Sequence, residues 1–364
     1  MKPCTVLRGR RDSLIVPITA EEWPPRGVET LGACPVCEST QRSMLHAGLR
    51  DLIFHCAPGE WDLWRCGQCC NAYLDPRPSA ETIVLAYGNY YTHTAPGVRP
   101  RPGSRLAIAR RALANGYRNW RYGVRLTPAN ALGVAVLLAL PRMRTEIDLA
   151  LRHLPRLPKS HAGRVLDVGC GNGHFLEEAR TAGWIAVGCD FDPVAAASVR
   201  ARGFDIREGG IEAWADAEGQ FDAITFSHVI EHVHDPVATL EQARRLLKDD
   251  GTIYIDTPNI DAAGHRDFGR SWRGLEPPRH LVLFNWIGMR RALENAGFTD
   301  IKRVARPGVY AALAPQSAAI RDGRDAALAT GDRSWSSRLR TCLHAIVTPD
   351  RSEFVTLTAT KARA

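Results

Sequence analysis

From Val165 onward the chain exchanges short apolar runs for amphipathic stretches. Val165-Leu166-Asp167-Val168 reads as a buried strand, and the periodic apolar positions Phe175, Leu176 and Ala179 behind it read as a helix. The exchange then recurs. Strands are predicted at Trp184–Asp190, around Phe204–Arg207, at Phe221–His228 and at Thr252–Asn259. A helix over Val237–Lys248, closed by Asp249-Asp250-Gly251, separates the last two. Strand–helix repetition of this kind implies α/β architecture: a parallel, doubly wound sheet that takes its ligand at the carboxyl ends of its strands.

The turn after the first strand carries Gly169, Gly171 and Gly173. Glycines there remove side chains where backbone passes close to a ligand, and the following helix N-terminus offers unpaired N–H groups. The spacing is Gly-x-Gly-x-Gly, unlike the Gly-x-Gly-x-x-Gly of a dinucleotide fold. Asp190 closes the second strand and Phe191 follows it. An acid at that tip can hydrogen-bond a ribose diol, and an aromatic beside it can lie on adenine.

The order of these signals resembles the class I S-adenosylmethionine (SAM) methyltransferases across roughly residues 160–300. Pro278-Arg279-His280-Leu-Val-Leu-Phe284 and a helix over Asn285–Ala296 are similar to the segment before that family's last two strands. The resemblance implies a Rossmann-like seven-stranded sheet whose last strands, Asp300–Ala305 and Glu353–Thr360, pair antiparallel at its edge. Residues 307–350, between them, are expected to form a helical excursion with a loop near Asp322–Ser337. SAM is the implied donor, with Asp167, Gly169, Gly171, Gly173, Asp190, Phe191 and Ser227 at its site. The family often binds adenine through an Asp near position 210. Gly209-Gly210 stand there, so Glu212 or a backbone carbonyl is expected to substitute.

Upstream, Cys34-Pro-Val-Cys37 and Cys66-Gly-Gln-Cys69 form two Cys-x-x-Cys knuckles. Two such knuckles make a closed tetrahedral Cys4 site, so a structural Zn2+ on Cys34, Cys37, Cys66 and Cys69 is expected, with rubredoxin-like iron as the alternative. The 28 residues between the knuckles exceed the usual spacing of about 15–20, but a hairpin spans them if Trp61–Cys66 is a strand. Cys56 and Cys70 are spare. Ten cysteines in 364 residues without a secretory signal suggest thiols in a reducing cytoplasm. The knuckles, Asp75-Pro-Arg-Pro-Ser79 and the pair Tyr90-Tyr91 resemble a bacterial methyltransferase subgroup with an N-terminal zinc-binding module, associated with glycan, polysaccharide and natural-product pathways.

Four segments follow: an extension over 1–30, a zinc-ribbon-like module over 31–80, a basic helical connector over 81–160 and the methyltransferase domain over 161–364. The prolines after Asp75 are expected to end regular structure in the module. No run reaches the roughly 18 apolar residues of a membrane span. Ala131–Leu140, the longest candidate, reads as a buried or interfacial helix.

The net charge is +8, and its distribution is uneven. No acid lies between Glu81 and Glu146, where ten arginines occur (99, 101, 105, 110, 111, 118, 121, 125, 142 and 144) with Tyr117, Trp120 and Tyr122 among them. Such a stretch suits RNA phosphates, a nucleotide-linked sugar or other anionic small or glycan substrate, or an anionic membrane surface. With 42 Arg against 5 Lys, arginine is also simply the default cation here. Nothing in the sequence reports the oligomeric state.

Methyl transfer from a sulfonium needs alignment and, for a hydroxyl acceptor, removal of a proton. His228, Glu231 and His232 follow the fourth strand and share one face if that segment is helical, with His232 the first candidate base, His280 the second, and Glu231 orienting. Ubiquinone-type O-methyltransferases and small-RNA 2′-O-methyltransferases carry a similar Glu-x-x-Glu-His that binds a divalent metal. Here His228 replaces the first acid, which leaves a second metal on His228, Glu231 and His232 open. Three functions stay in play: O- or C-methylation of a sugar, glycan or small metabolite; RNA methylation; and a non-catalytic SAM-binding scaffold.

Overall fold

The computed structural model describes residues 23–88, 104–326, 329 and 349–363. Tyr90, Tyr91, Arg99, Arg101 and most of the loop expected before Ser337 lie outside them. In the N-terminal part, β2 (Arg42–Leu49) and β3 (Trp61–Cys66) form the hairpin expected between the knuckles, and β4 (Ala72–Leu74) adds to β3. The prolines do not end regular structure. Arg77–Pro78 is a two-residue strand, β5, on β1 (Val28–Glu29), an edge position that tolerates proline. Asp75 is the reason this corner is tight: its carboxylate accepts from the amides of Leu31 and Gly32 at 2.9 and 3.1 Å and pairs with Arg42.

The connector is helical, as its sequence predicts: α1 (Arg105–Tyr122), α2 (Leu132–Ala139) and α3 (Pro141–Ala150). A Cβ on Gly116 would lie 1.8 Å from the carbonyl of Asn130, and one on Gly133 would lie 1.9 Å from that of Leu113, so only glycine lets α1 and α2 meet. Asp148 on α3 accepts from the hydroxyls of Tyr117 and Tyr122, tying α3 to α1.

The sheet then builds as expected. Its strands are β6 (Arg164–Val168), β7 (Ile185–Asp190), β8 (Asp205–Glu208), β9 (Phe221–Ser227) and β10 (Leu247–Pro258). The crossovers include α4 (His174–Thr181), α5 (Pro193–Arg200) and α6 (Pro236–Leu246). After α7 (Ala263–Phe268), β11 (Val282–Leu283) and α8 (Trp286–Asn295), the chain adds β12 (Phe298–Arg303), α9 (Val309–Arg321) and β13 (Phe354–Lys361). The seven-stranded order is β12-β13-β10-β9-β6-β7-β8, with β13 antiparallel to both neighbours and the other pairings parallel. This is a Rossmann-like, doubly wound α/β fold.

Alternation in the strands sorts two cores. Leu166, Val168, Ile224, Phe226 and Ile255 face α6 and α8, whereas Val165, Ala186 and Ala223 face α4, α5 and connector residues Tyr122, Leu151 and Leu154. β11 does something else. It pairs antiparallel with β4, so the N-terminal sheet runs β11-β4-β3-β2 and draws its fourth strand from beyond residue 280. Leu283 accordingly packs with Trp61, Leu63 and Leu74.

Candidate functional site

At the carboxyl end of β6, Gly169, Gly171 and Gly173 all take positive φ (65°, 51° and 72°), which explains why the loop needs glycine. A Cβ on Gly169 would strike Val229 at 2.5 Å, whereas the same position on Gly171 faces open space. Gly173 is the N-cap of α4, and it offers no side chain to the first amides of that helix. Asp190, at the tip of β7, accepts from the amide of Gly171 at 2.7 Å and from that of Asp192 at 2.9 Å, so it braces the loop. Phe191 is 74% exposed, unusual for a phenylalanine, and its ring edge lies 3.0 Å from where a Gly210 Cβ would be. The Gly210 amide donates to Glu212 at 2.7 Å, which holds that carboxylate beside Gly210.

Asp167 lies inside the fold. It is fully buried beneath the loop, pairs with Arg152 and accepts from Thr225 at 2.8 Å. Burial raises its pKa despite Arg152 and Thr225. Arg152 reaches it from just past α3 on a left-handed backbone (φ 46°) and lies 4.0 Å over the Phe175 ring. Arg152 thus compensates the Asp167 charge from within the protein. Ser227 is half-buried at the end of β9, in register with Asp256.

The segment after β9 is a turn rather than a helical one, and His228 itself has φ 57°. Its imidazole consequently turns toward Asp256 (3.6 Å) and the Phe354 ring (4.7 Å) while keeping Glu231 at 3.4 Å. Burial works against a charge on His228, but Glu231 and Asp256 outweigh it and raise its pKa. Glu231 is wholly buried and accepts from Thr257 at 2.9 Å; burial resists its ionisation, yet the surrounding histidines hold its pKa at about 2.

His232 and His280 lie on the other side of Glu231, their rings 4.8 Å apart. Donor atoms of Glu231, His232 and His280 all come within 4.8 Å of one another, and His228 is outside that group. The trio expected for a second metal is thus regrouped, because the turn sends His228 away and brings His280 in from the next loop. His232 Nδ1 lies 2.9 Å from the Arg279 carbonyl, which can only accept, so the proton sits on Nδ1 and Nε2 carries the lone pair. His280 donates likewise from Nδ1 to the Gly274 carbonyl at 2.8 Å. Burial lowers its pKa to about 4, which keeps it neutral near pH 7.

Several residues that shape this corner were not singled out from the sequence. Tyr87 places its hydroxyl 3.1 Å from His232 Nδ1. Arg279 is fully buried and donates to Asp51 at 2.7 and 3.1 Å, to Glu276 at 3.1 Å and to the Ala86 carbonyl at 2.9 Å, with Phe54 stacked on it. Arg77 donates to the His234 carbonyl at 2.9 Å and His234 to that of Pro78 at 3.0 Å. The N-terminal part is therefore one wall of the site. Arg279 stood beside His280 in the quoted motif, and its guanidinium was the available clue. Asp256, Thr257 and Arg306, which pairs with Asp256 at 2.8 Å, were also missed. Asp167 Oδ2 and His153 Nε2 are buried without a hydrogen-bond partner among the described residues.

The four cysteines converge. Cys34 and Cys69 sulfurs are 3.6 Å apart and those of Cys37 and Cys66 3.5 Å, close to the edge of about 3.8 Å of a tetrahedron with 2.3 Å Zn–S bonds. Amides of Gln68 and Cys69 point at the Cys66 sulfur from 3.4 and 3.5 Å. Cys56 and Cys70 stand outside the group.

Comparison with known proteins agrees with this architecture. A family model described as a methyltransferase domain matches residues 142–303. A probable SAM-dependent methyltransferase of Mycolicibacterium smegmatis is 31% identical over 182 residues, covering 47% of this chain and 68% of that protein. A ubiquinone biosynthesis O-methyltransferase of Methylococcus capsulatus is 37% identical over 108 residues, covering 28% of this chain and 46% of that one. The chain thus spans about two thirds of the first relative and less than half of the second. A solved SAM-dependent methyltransferase from Archaeoglobus fulgidus is 19% identical with a TM-score of 0.41, covering 62% of this chain and 93% of that structure. The chain belongs to the SAM-dependent methyltransferases.

Proposed function

We propose that this chain methylates a hydroxyl oxygen of a small acceptor, a sugar, glycan or other small metabolite, with His232 as general base. The observation that carries the reading is the tautomer of His232: its Nδ1 proton is held by the Arg279 carbonyl, which leaves the lone pair on Nε2, with Glu231 and His280 close by. Bound SAM supplies an electrophilic methyl group on a sulfonium. Gly169, Gly171 and Gly173 admit it, Asp190 takes the ribose, and Phe191 with Glu212 takes the adenine. His232 Nε2 accepts the hydroxyl proton. Glu231 steadies the imidazolium that forms, and neutral His280 packs against it without competing for the charge. His228, held between two carboxylates, is the poorer base. The O-methyltransferase named among the relatives supports an oxygen acceptor. Turnover of hydroxylated acceptors with labelled SAM, for wild type and His232→Ala, tests the reading; equal rates would overturn it.

A metal-assisted variant rests on the convergence of Glu231, His232 and His280. Those donors suit a divalent cation that would hold an acceptor oxygen. Loss of turnover to a chelator that leaves the Cys4 metal in place would select it. For the cysteine cluster we propose one structural Zn2+ per chain, since four thiolates close the coordination shell. Elemental analysis finding neither zinc nor iron would refute that.

A further inference from the structure

Half of the exposed large apolar side chains in the described structure fall between Leu106 and Met143. Leu132 is 68% exposed, Leu106 62% and Ile108 52%, and Trp120, Leu138 and Met143 are also open to solvent. The helix that carries Leu132 and Leu138 is apolar throughout its length, an arrangement water does not favour. The cations of the same stretch have few acidic partners: among the described residues only Arg142 meets a carboxylate, Glu146 at 3.6 Å, while Arg121 lies over the Tyr122 ring. Arg105, Arg110, Arg111 and Arg125 are exposed beside the apolar side chains.

We infer that the α1–α3 hairpin is a docking surface for an anionic lipid bilayer. The two halves of the patch select that occupant together. A second copy of the chain would bring arginine-rich surfaces face to face with Glu146 the one exposed acid on α1–α3, which like-charge repulsion opposes. A nucleic acid would use the arginines but leave aliphatic Leu132 and Leu138 in water, since its grip comes from phosphates and stacking rings. An anionic membrane surface uses both, with leucines and Trp120 in the headgroup and acyl boundary and guanidinium groups on the lipid phosphates. The helices lie on the bilayer rather than cross it, for no helix among the described residues is long and apolar enough to span. The tight Gly116–Gly133 crossing keeps α1 and α2 together as one platform.

The test is co-sedimentation of the full chain with phosphatidylcholine vesicles, with and without phosphatidylglycerol. Binding should require the anionic lipid and weaken as salt rises. Arg110→Gln with Arg111→Gln should weaken it roughly 25-fold, at about fivefold per arginine. Leu132→Ser with Leu138→Ser should weaken it by about tenfold or more. Both variants should keep wild-type SAM affinity by calorimetry, which separates a lost surface from a lost fold. No binding to anionic vesicles at low salt would overturn the proposal. So would equal binding by both variants, RNA that displaces the vesicles, or a dimer in solution that the leucine variant abolishes.

Discussion

The glycine-loop end of the site and the histidine end are built by opposite means. Around Gly169–Gly173 the geometry is made by backbone: three left-handed glycines, a helix start and one carboxylate that braces the turn from the neighbouring strand. Everything needed lies within about one βαβ unit. Around His232 the geometry is made by side chains from three distant stretches. Tyr87 and Asp51 come from the N-terminal wall, Glu231 from the turn after β9, and Arg279 and His280 from the loop before β11. A backbone site resists single substitutions away from glycine positions. A side-chain site depends on each long-range bond that holds it.

That contrast breaks most sharply at His232. His232→Ala should cut turnover about 10²–10⁴-fold, the usual range for a general base, with SAM affinity unchanged by calorimetry. Next comes the positioning pair. Asp51→Ala leaves the Arg279 charge short of its main partner and should destabilise the fold by about 3–5 kcal/mol in urea unfolding. Asp51→Asn, which keeps the shape, should lower turnover far more than SAM affinity, because the Arg279 carbonyl that orients His232 shifts; parallel loss of both would refute this role. At the other end, Asp190→Ala should weaken SAM by about 1–3 kcal/mol. Equal binding by the variant would remove Asp190 from the donor site.

The smallest expected effect is acid sensitivity. His46 and His265 face each other across the wall, Nε2 to Nε2 at 2.8 Å, with His265 Nδ1 donating to the Ile260 carbonyl. Burial, then His265 and Arg270, lowers the His46 pKa from 6.5 to about 4. Because the folded value lies below the unfolded one, protonation favours unfolding: stability is complete above about pH 6.5 and falls as pH drops toward 4. Thermal midpoints measured across that interval should decline, less steeply in His46→Gln. Superimposable curves would show that this contact does not titrate.

How much the sequence disclosed follows the same division. The strand–helix alternation, the glycine turn and the knuckle hairpin were readable because each is a local pattern of period, φ requirement or spacing, whereas the seven-stranded sheet with its antiparallel edge was implied by the family resemblance. His228 misled because a helical spacing was assumed where a left-handed residue makes a turn. The pairing of Asp167 was not legible because its counter-ion, Arg152, comes from a connector with no motif. Asp51 and Arg279 are 228 positions apart, and no periodicity links such a pair.

The pairing of β11 with β4 also decides where this chain can be cut. A shortened protein starting at α1 would keep the whole seven-stranded sheet and all the residues of the glycine loop. It would also uncover the Val282–Leu283 edge, strip the cover from Leu283 and leave Arg279 without Asp51. An apolar strand edge facing water recruits strands from other molecules, so such a fragment should precipitate rather than behave as a minimal enzyme. Any exchange of N-terminal segments between relatives must carry residues 276–285 along with the module they complete.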